Sequence, residues 1–244
     1  MMSAGNDFYH AIAKDYATYG DDAVTDWFLG FFNVYKYLSS PSGDIKGKTV
    51  LDYGCGTGKF CRFLKDKGAR VIGVDVSSDM LQIAKTISTD DIAYHHIQSG
   101  CLDFIPSNSI EYVTVNFVLC ILNLESEMLK ILKELQRVLK ADGKLVMLNV
   151  NWEQAQNREF ISFKPEPVKE LSPGQHLHIT LKGKNPIQVE EHFWPITSYC
   201  CLFKQAGLSI EMVDQPKASE DDKGHPWLDE CNYAPFSIIV GKKG

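Results

Sequence analysis

Residues 50–60, VLDYGCGTGKF, constrain the fold of this chain more than any other stretch. Thr49, Val50 and Leu51 make a β-branched, apolar run suited to a buried strand. Gly54, Gly56 and Gly58 follow at once, before a helical pattern over residues 59–67. A bend made of alternate glycines is built from backbone alone; it takes φ > 0 and lets a ligand come close to the main chain. The helix start adds orphan N–H groups and a positive dipole end, a place for a carboxylate, a phosphate or a ribose hydroxyl. Spacing then narrows the ligand. A dinucleotide fingerprint, G-x-G-x-x-G, needs glycine where this chain has Lys59, and a G-x-x-x-x-G-K-[S/T] phosphate loop fits neither the spacing nor Phe60. A purely structural bend is the competing reading, and the downstream spacing argues against it.

A chain of 244 residues is long enough to bury a full core as one large α/β domain, and two independent domains are not expected. No apolar run approaches the roughly 18 residues needed to cross a bilayer. The opening MMSAGNDFYHAIAK lacks the apolar core of a secretory leader, so no membrane partner and a cytoplasmic location are expected. The seven cysteines are odd in number and show no C-x-x-C spacing, against a disulfide framework or zinc site and in favour of a reducing compartment. With a net charge of −6 and no Lys/Arg stripe, nucleic acid is not an expected partner. A small molecule is; the oligomeric state stays open.

From Leu51 onward the chain resembles the class I S-adenosylmethionine-dependent methyltransferases, small-molecule type, whose first motif reads hhD/E-x-G-x-G-x-G, with Asp52 at the acidic position. The resemblance implies a doubly wound, mostly parallel seven-stranded α/β sheet of the Rossmann-like methyltransferase fold, and S-adenosylmethionine as cofactor. Asp75, about twenty residues past the glycines and ending a second strand over residues 69–74, is placed to accept hydrogen bonds from a ribose diol, with Ser77 or Ser78 capping the next helix. Asp75-Val76-Ser77-Ser78-Asp79-Met80 is similar to the family's D-x-S-x-x-M-L, which puts Val76 and Met80 beside the adenine. A third strand is expected at residues 92–97. Where relatives write a G-D-A-like segment after it, this chain has Gln98-Ser99-Gly100-Cys101-Leu102-Asp103. Either Asp103 takes over the adenine contact or the backbone of Cys101 and Leu102 makes it, the reading we prefer. The fourth strand, residues 109–116, leads to Asn116 and Phe117, beside the reacting methyl in relatives. A helix over residues 125–140 should stop at an αL Gly143, before RVLKADGKLV-type entry into strand five.

The ends of the chain and its insertion concern the substrate. Tyr9, Ala13 and Tyr16 match a Y-x-x-x-A-x-x-Y segment that closes over the cofactor in the family, with a second, aromatic helix around Trp27 and Phe31; together they form a helical cap, residues 1–47, of a single domain 1–244. Residues 151–195 form an insertion whose alternating runs 176–181 and 187–193 flank a KGKNP turn, a hairpin cover. A final helix follows at residues 195–207, capped by Thr197 or Ser198. The base expected for a poorly acidic acceptor is histidine. His192 is the catalytic candidate, with Tyr9, His176, His178 and Trp194 as substrate contacts. No metal is expected, since no carboxylates accompany these histidines at ligand spacing in the sequence. The implied reaction is methyl transfer to oxygen or nitrogen of a small, aromatic or heterocyclic metabolite. Two readings compete: a cofactor-binding protein without turnover, and aminopropyl transfer. The latter needs acidic residues that residues 116–122 lack.

Overall fold

The computed structural model describes residues 13–19, 23–40, 43–88, 91–219, 221 and 224–244. Helix α1 covers residues 13–19, and a π-helical turn, Asp26–Phe31, runs into α2, Phe32–Ser39. Then follow β1 (Thr49–Tyr53), α3 (Lys59–Asp66), β2 (Arg70–Asp75), α4 (Ser78–Ile87), β3 (Ala93–His96) and β4 (Ile110–Asn116). The chain continues with α5 (Glu125–Val138), β5 (Leu139–Val150), α6 (Trp152–Ala155), β6 (Phe163–Pro165), β7 (His176–Leu181) and β8 (Ile187–His192). It closes with α7 (Ile196–Gln205), β9 (Leu208–Asp214) and β10 (Phe236–Lys243).

Seven strands pair in the order β3-β2-β1-β4-β5-β10-β9. The first five are parallel, and β10 runs antiparallel between β5 and β9. This is the doubly wound, mostly parallel sheet expected from the sequence. The order reverses between β1 and β4, so the loops leaving their C-terminal ends lie side by side, the crevice where such sheets bind ligands. Continuous burial of Val50, Leu51, Asp52 and Tyr53 matches the apolar run that announced β1. Helix α5 buries Met128, Ile131, Leu132, Leu135 and Val138, one stripe at three- and four-residue spacing.

Three local expectations are corrected. Helix α5 ends at Val138, and Gly143 lies inside β5 rather than at an αL stop. It is glycine because a Cβ there would sit 2.8 Å from the Glu111 carbonyl oxygen and 2.7 Å from Leu139 Cδ1. Helix α7 is entered through Pro195, with Thr197 and Ser198 already inside the first turn and no side-chain cap. The cover holds a third strand: β6, β7 and β8 form their own antiparallel sheet. On β7 and β8 the pattern alternates, with Leu177, Ile179, Leu181, Ile187, Val189 and Glu191 buried. Cross-strand pairs Leu177–Glu191, Ile179–Val189 and Leu181–Ile187 put all six on one face. That face packs into a core shared with Phe60, Phe160, Phe163 and Phe236. The cap is tied to the cover by a hydrogen bond from Thr25 N–H to Ser162 Oγ (2.8 Å), and to the loop before β10 by one from Thr25 Oγ1 to the buried Glu230 (2.8 Å).

Candidate active site

All three glycines of the bend have positive φ: +74° at Gly54, +52° at Gly56 and +73° at Gly58. They differ in what a side chain would meet. A Cβ on Gly54 would stand 2.2 Å from Val118 Cγ2, and one on Gly58 2.2 Å from the Tyr94 hydroxyl. At Gly56 it would meet nothing within 4 Å. Two of the glycines therefore let protein pack against protein, and the middle one opens on space. The Asp75 carboxylate, at the end of β2, accepts hydrogen bonds from Gly56 N–H (2.7 Å) and Ser77 N–H (2.8 Å). Ser77 caps α4 through its side chain, as expected, but Asp75 is not left free by it: its oxygens brace the bend.

Beside Gly56 lies a cavity of about 120 Å³. Phe31, Phe60, Phe117, Phe163 and Phe236 give it aromatic walls, and Ile179, Leu181 and Val189 of the cover close it. Phe117 holds φ +56°, a conformation that strains a bulky residue and recurs at functional sites. Polar groups enter at few places: Tyr16, Tyr19, Asp26, Asp52, Thr57, Lys59, Asn116 and Glu191. Asn116 donates to Asp52 at 3.5 Å, while its own side-chain oxygen is buried with no hydrogen-bond partner. Asp52 also accepts from Thr114 Oγ1 (2.8 Å) and Cys61 Sγ (3.2 Å).

Burial dominates the electrostatics. It pushes the Asp52 carboxyl up to about 6, against the hydrogen bonds from Thr114 and Cys61. Asp26 rises to about 6 for the same reason, opposed by the Tyr19 hydroxyl and the Lys59 charge. Glu191 rises to about 7, opposed by the Trp152 indole N–H, which donates to it at 2.8 Å, and by the Cys120 thiol. Tyr16 and Tyr19 are held protonated, first by burial and then by the neighbouring Asp26.

These shifts make a stability prediction. Each carboxyl binds its proton more tightly folded than unfolded, so stability is greatest below the ordinary carboxylate range and falls as pH rises. For Glu191 that window runs from 4.5 to about 7. Melting temperatures taken from about pH 5 to about pH 8 should fall less for Glu191→Gln than for the parent chain; equal slopes would remove Glu191 as the cause.

Of the residues expected from sequence, Tyr16, Asp52, Gly54, Cys55, Gly56, Asn116 and Phe117 line the cavity. Gly58 and Asp75 belong to the bend, and Tyr9 lies outside the described residues. Val76, Met80, Cys101 and Leu102 are not among the residues that line this cavity. The Met80 and Leu102 side chains are buried in the core, and Cys101 N–H already donates to the Gln98 carbonyl (3.0 Å). The histidines require a correction. Strand alternation turns His176, His178 and His192 to the face opposite Glu191, away from the cavity. Trp194 instead donates its indole N–H to the Leu122 carbonyl at 2.9 Å. Sequence reasoning missed Asp26 and Glu191. For Glu191 a signal existed: it continues the inward Ile187–Val189 register.

A doubly wound sheet, a glycine bend at its reversal point and a carboxylate on the neighbouring strand define a domain that holds a nucleoside-bearing cofactor. Residues 51–147 match the family described as methyltransferase domain. The N-demethylindolmycin N-methyltransferase of Streptomyces griseus is 27% identical over 222 residues, 88% of this chain and 92% of the relative. Among solved structures, the CcbJ methyltransferase from Streptomyces caelestis superposes with a TM-score of 0.67 at 18% identity, over 96% of each chain. An S-adenosylmethionine dependent methyltransferase from Mesorhizobium loti gives 0.66 at 19%, over 91% of this chain and 99% of that one. The matched segment is a methyltransferase domain, and the fold built around it is that of the S-adenosylmethionine-dependent methyltransferases it superposes on.

Two observations test whether the residues fit that cofactor. The space over Gly56 lets a ligand reach the backbone where any other residue would project a side chain, and the Asn116 side-chain oxygen is a buried acceptor with its bonding capacity unspent. Both lie on the cavity wall, and both fit.

Proposed function

We propose that this enzyme transfers a methyl group to nitrogen or oxygen of a small aromatic or heterocyclic metabolite, nitrogen being favoured. The observation that carries this reading is a buried carboxylate, Glu191, inside an aromatic cavity beside the glycine bend. The likeness to an N-methyltransferase over 88% of the chain supports it. When bound, S-adenosylmethionine supplies a methyl group made electrophilic by its positively charged sulfur. Gly56, Asp75, Asn116, Asp52 and Tyr16 would hold the cofactor. The five phenylalanines exclude water and give an aromatic acceptor a matching surface. Glu191, its carboxyl near neutral pH, takes up the proton that an amine or hydroxyl must lose. With Asp26 and Asp52 it also makes the cavity a favourable place for positive charge.

The same reading treats the chain as one domain, with residues 1–47 as cap and 151–195 as substrate cover, working in the cytoplasm on a small molecule without nucleic acid or membrane. Among the described residues, no helix is long and apolar enough to cross a membrane.

Release of S-adenosylhomocysteine, followed across a panel of heterocyclic amines and phenols, tests the proposal. Turnover with amines ahead of phenols is expected; turnover confined to proteins or nucleic acids would overturn it. In calorimetry, Asp75→Ala should weaken S-adenosylhomocysteine at least about tenfold, or about 1.4 kcal/mol; unchanged affinity would remove Asp75 from the cofactor site.

A further inference from the structure

The histidines turned away from the cavity form a cluster of their own. His176 and His178 project from β7, and β8 sets His192 directly opposite the first and Glu190 directly opposite the second. The result is a two-by-two block of imidazoles and one carboxylate on the outer face of the cover. His176 Nε2 lies 3.4 Å from a Glu190 oxygen. The His176 ring centroid is 4.9 Å from that of His178 and 5.2 Å from that of His192. One ligand atom each from His176, His178 and Glu190 fall within 4.8 Å of one another, slightly wider than the at most about 4.4 Å that two bonds of roughly 2.0–2.2 Å span, so small side-chain rotations bring them onto one ion. Glu166 adds the outer support. One of its oxygens accepts His178 N–H from the backbone at 2.8 Å, and the other lies 3.3 Å from His178 Nδ1. A carboxylate so placed fixes the orientation of a metal-binding imidazole through its second nitrogen.

We propose that this face is a binding site for a divalent transition ion of the zinc class, with His176, His178 and Glu190 as ligands and His192 at its edge. Two imidazoles and one carboxylate are a donor set that suits such an ion and leaves a position for water. The sequence hides the set because its members are brought together across two strands, with the carboxylate contributed by the partner strand. The role follows from the placement. The backs of the same two strands carry Ile179, Val189 and Glu191 into the cavity wall, so an ion bridging β7 to β8 staples the cover in register. The site stands whatever the acceptor is.

Calorimetric titration of the full chain with zinc chloride, and with cobalt chloride as a spectroscopic probe, tests the site. One zinc ion per chain is expected, with affinity falling at least about tenfold in the double variant His176→Ala/His178→Ala and clearly in Glu190→Gln. Zinc should raise the melting temperature of the parent chain and not that of the double variant, whose ion-free melt shows whether it folds. His176→Asn/His178→Asn serves if it does not. The cobalt complex should lack thiolate charge-transfer bands. No binding by the parent chain, equal binding by the folded double variant, or thiolate bands that place the ion on cysteines would each overturn the proposal.

Discussion

Replacing Glu191 by Gln lowers the turnover number by about a hundred- to ten-thousandfold, the range typical of a lost proton acceptor. S-adenosylhomocysteine binding stays within a few-fold of the parent chain. Glutamine keeps the shape and can still accept from the Trp152 indole, so the packing of α6 against β8 survives and what is lost is the proton site. Burial and the low dielectric of the aromatic walls hold this carboxyl at about 7. It is thus partly ionised at neutral pH, poised both to accept a proton and to release it. The rate should therefore climb with pH through about 7 in the parent chain, and that inflection should be absent from the Gln variant. His192→Ala is the contrasting measurement. One position along the same strand, it lies on the face of β8 opposite the cavity, and its removal should change the rate by no more than about threefold. Were His192→Ala the more damaging change, the strand would have to present its other face to the substrate.

That contrast marks where the sequence was readable and where it was not. The bend, the order of strands and helices around it and the hairpin follow from local signals: alternate glycines after a β-branched run, a three- and four-residue stripe in α5, and a KGKNP turn between alternating segments. The proposed cofactor side of the cavity was legible for the same reason, since Asp52, Gly56 and Asp75 sit at fixed distances from one bend. The substrate side was not. Its members come from the π-helical turn, the end of β4, the cover and β10, and only the packed chain brings Asp26, Phe117, Glu191 and Phe236 around one space. Chemistry also outweighed geometry in the choice of base. Histidine is the commoner proton acceptor, yet a period of two along β8 admits either His192 or Glu191 to the cavity, never both, and the inward Ile187 and Val189 select Glu191. Gly143 failed differently. In sequence it reads as a helix stop, whereas its constraint is a carbonyl from β4 approaching across the sheet.

The glycines of the bend offer the second large effect, because single methyl groups separate their roles. Gly54→Ala adds a methyl 2.2 Å from Val118 Cγ2 and holds alanine at φ +74°. The left-handed conformation costs about 1–2 kcal/mol and the overlap about 1–3 kcal/mol. Thermal unfolding should therefore come early, at a cost of about 2–5 kcal/mol in all. Adding Val118→Ala removes the atom in the way and should return part of that loss, leaving the backbone term. Gly56→Ala pays only the backbone term, since its methyl enters open space, and a loss of about 2–8 °C in melting temperature follows for a chain of this size. Its effect falls on ligand uptake instead. The methyl occupies the approach to the main chain beside Asp75, and S-adenosylhomocysteine should bind at least about tenfold more weakly, measured on protein that is still folded. If Gly56→Ala melts early but binds normally, the ligand does not approach the backbone at this point, and the open space over Gly56 has some other use.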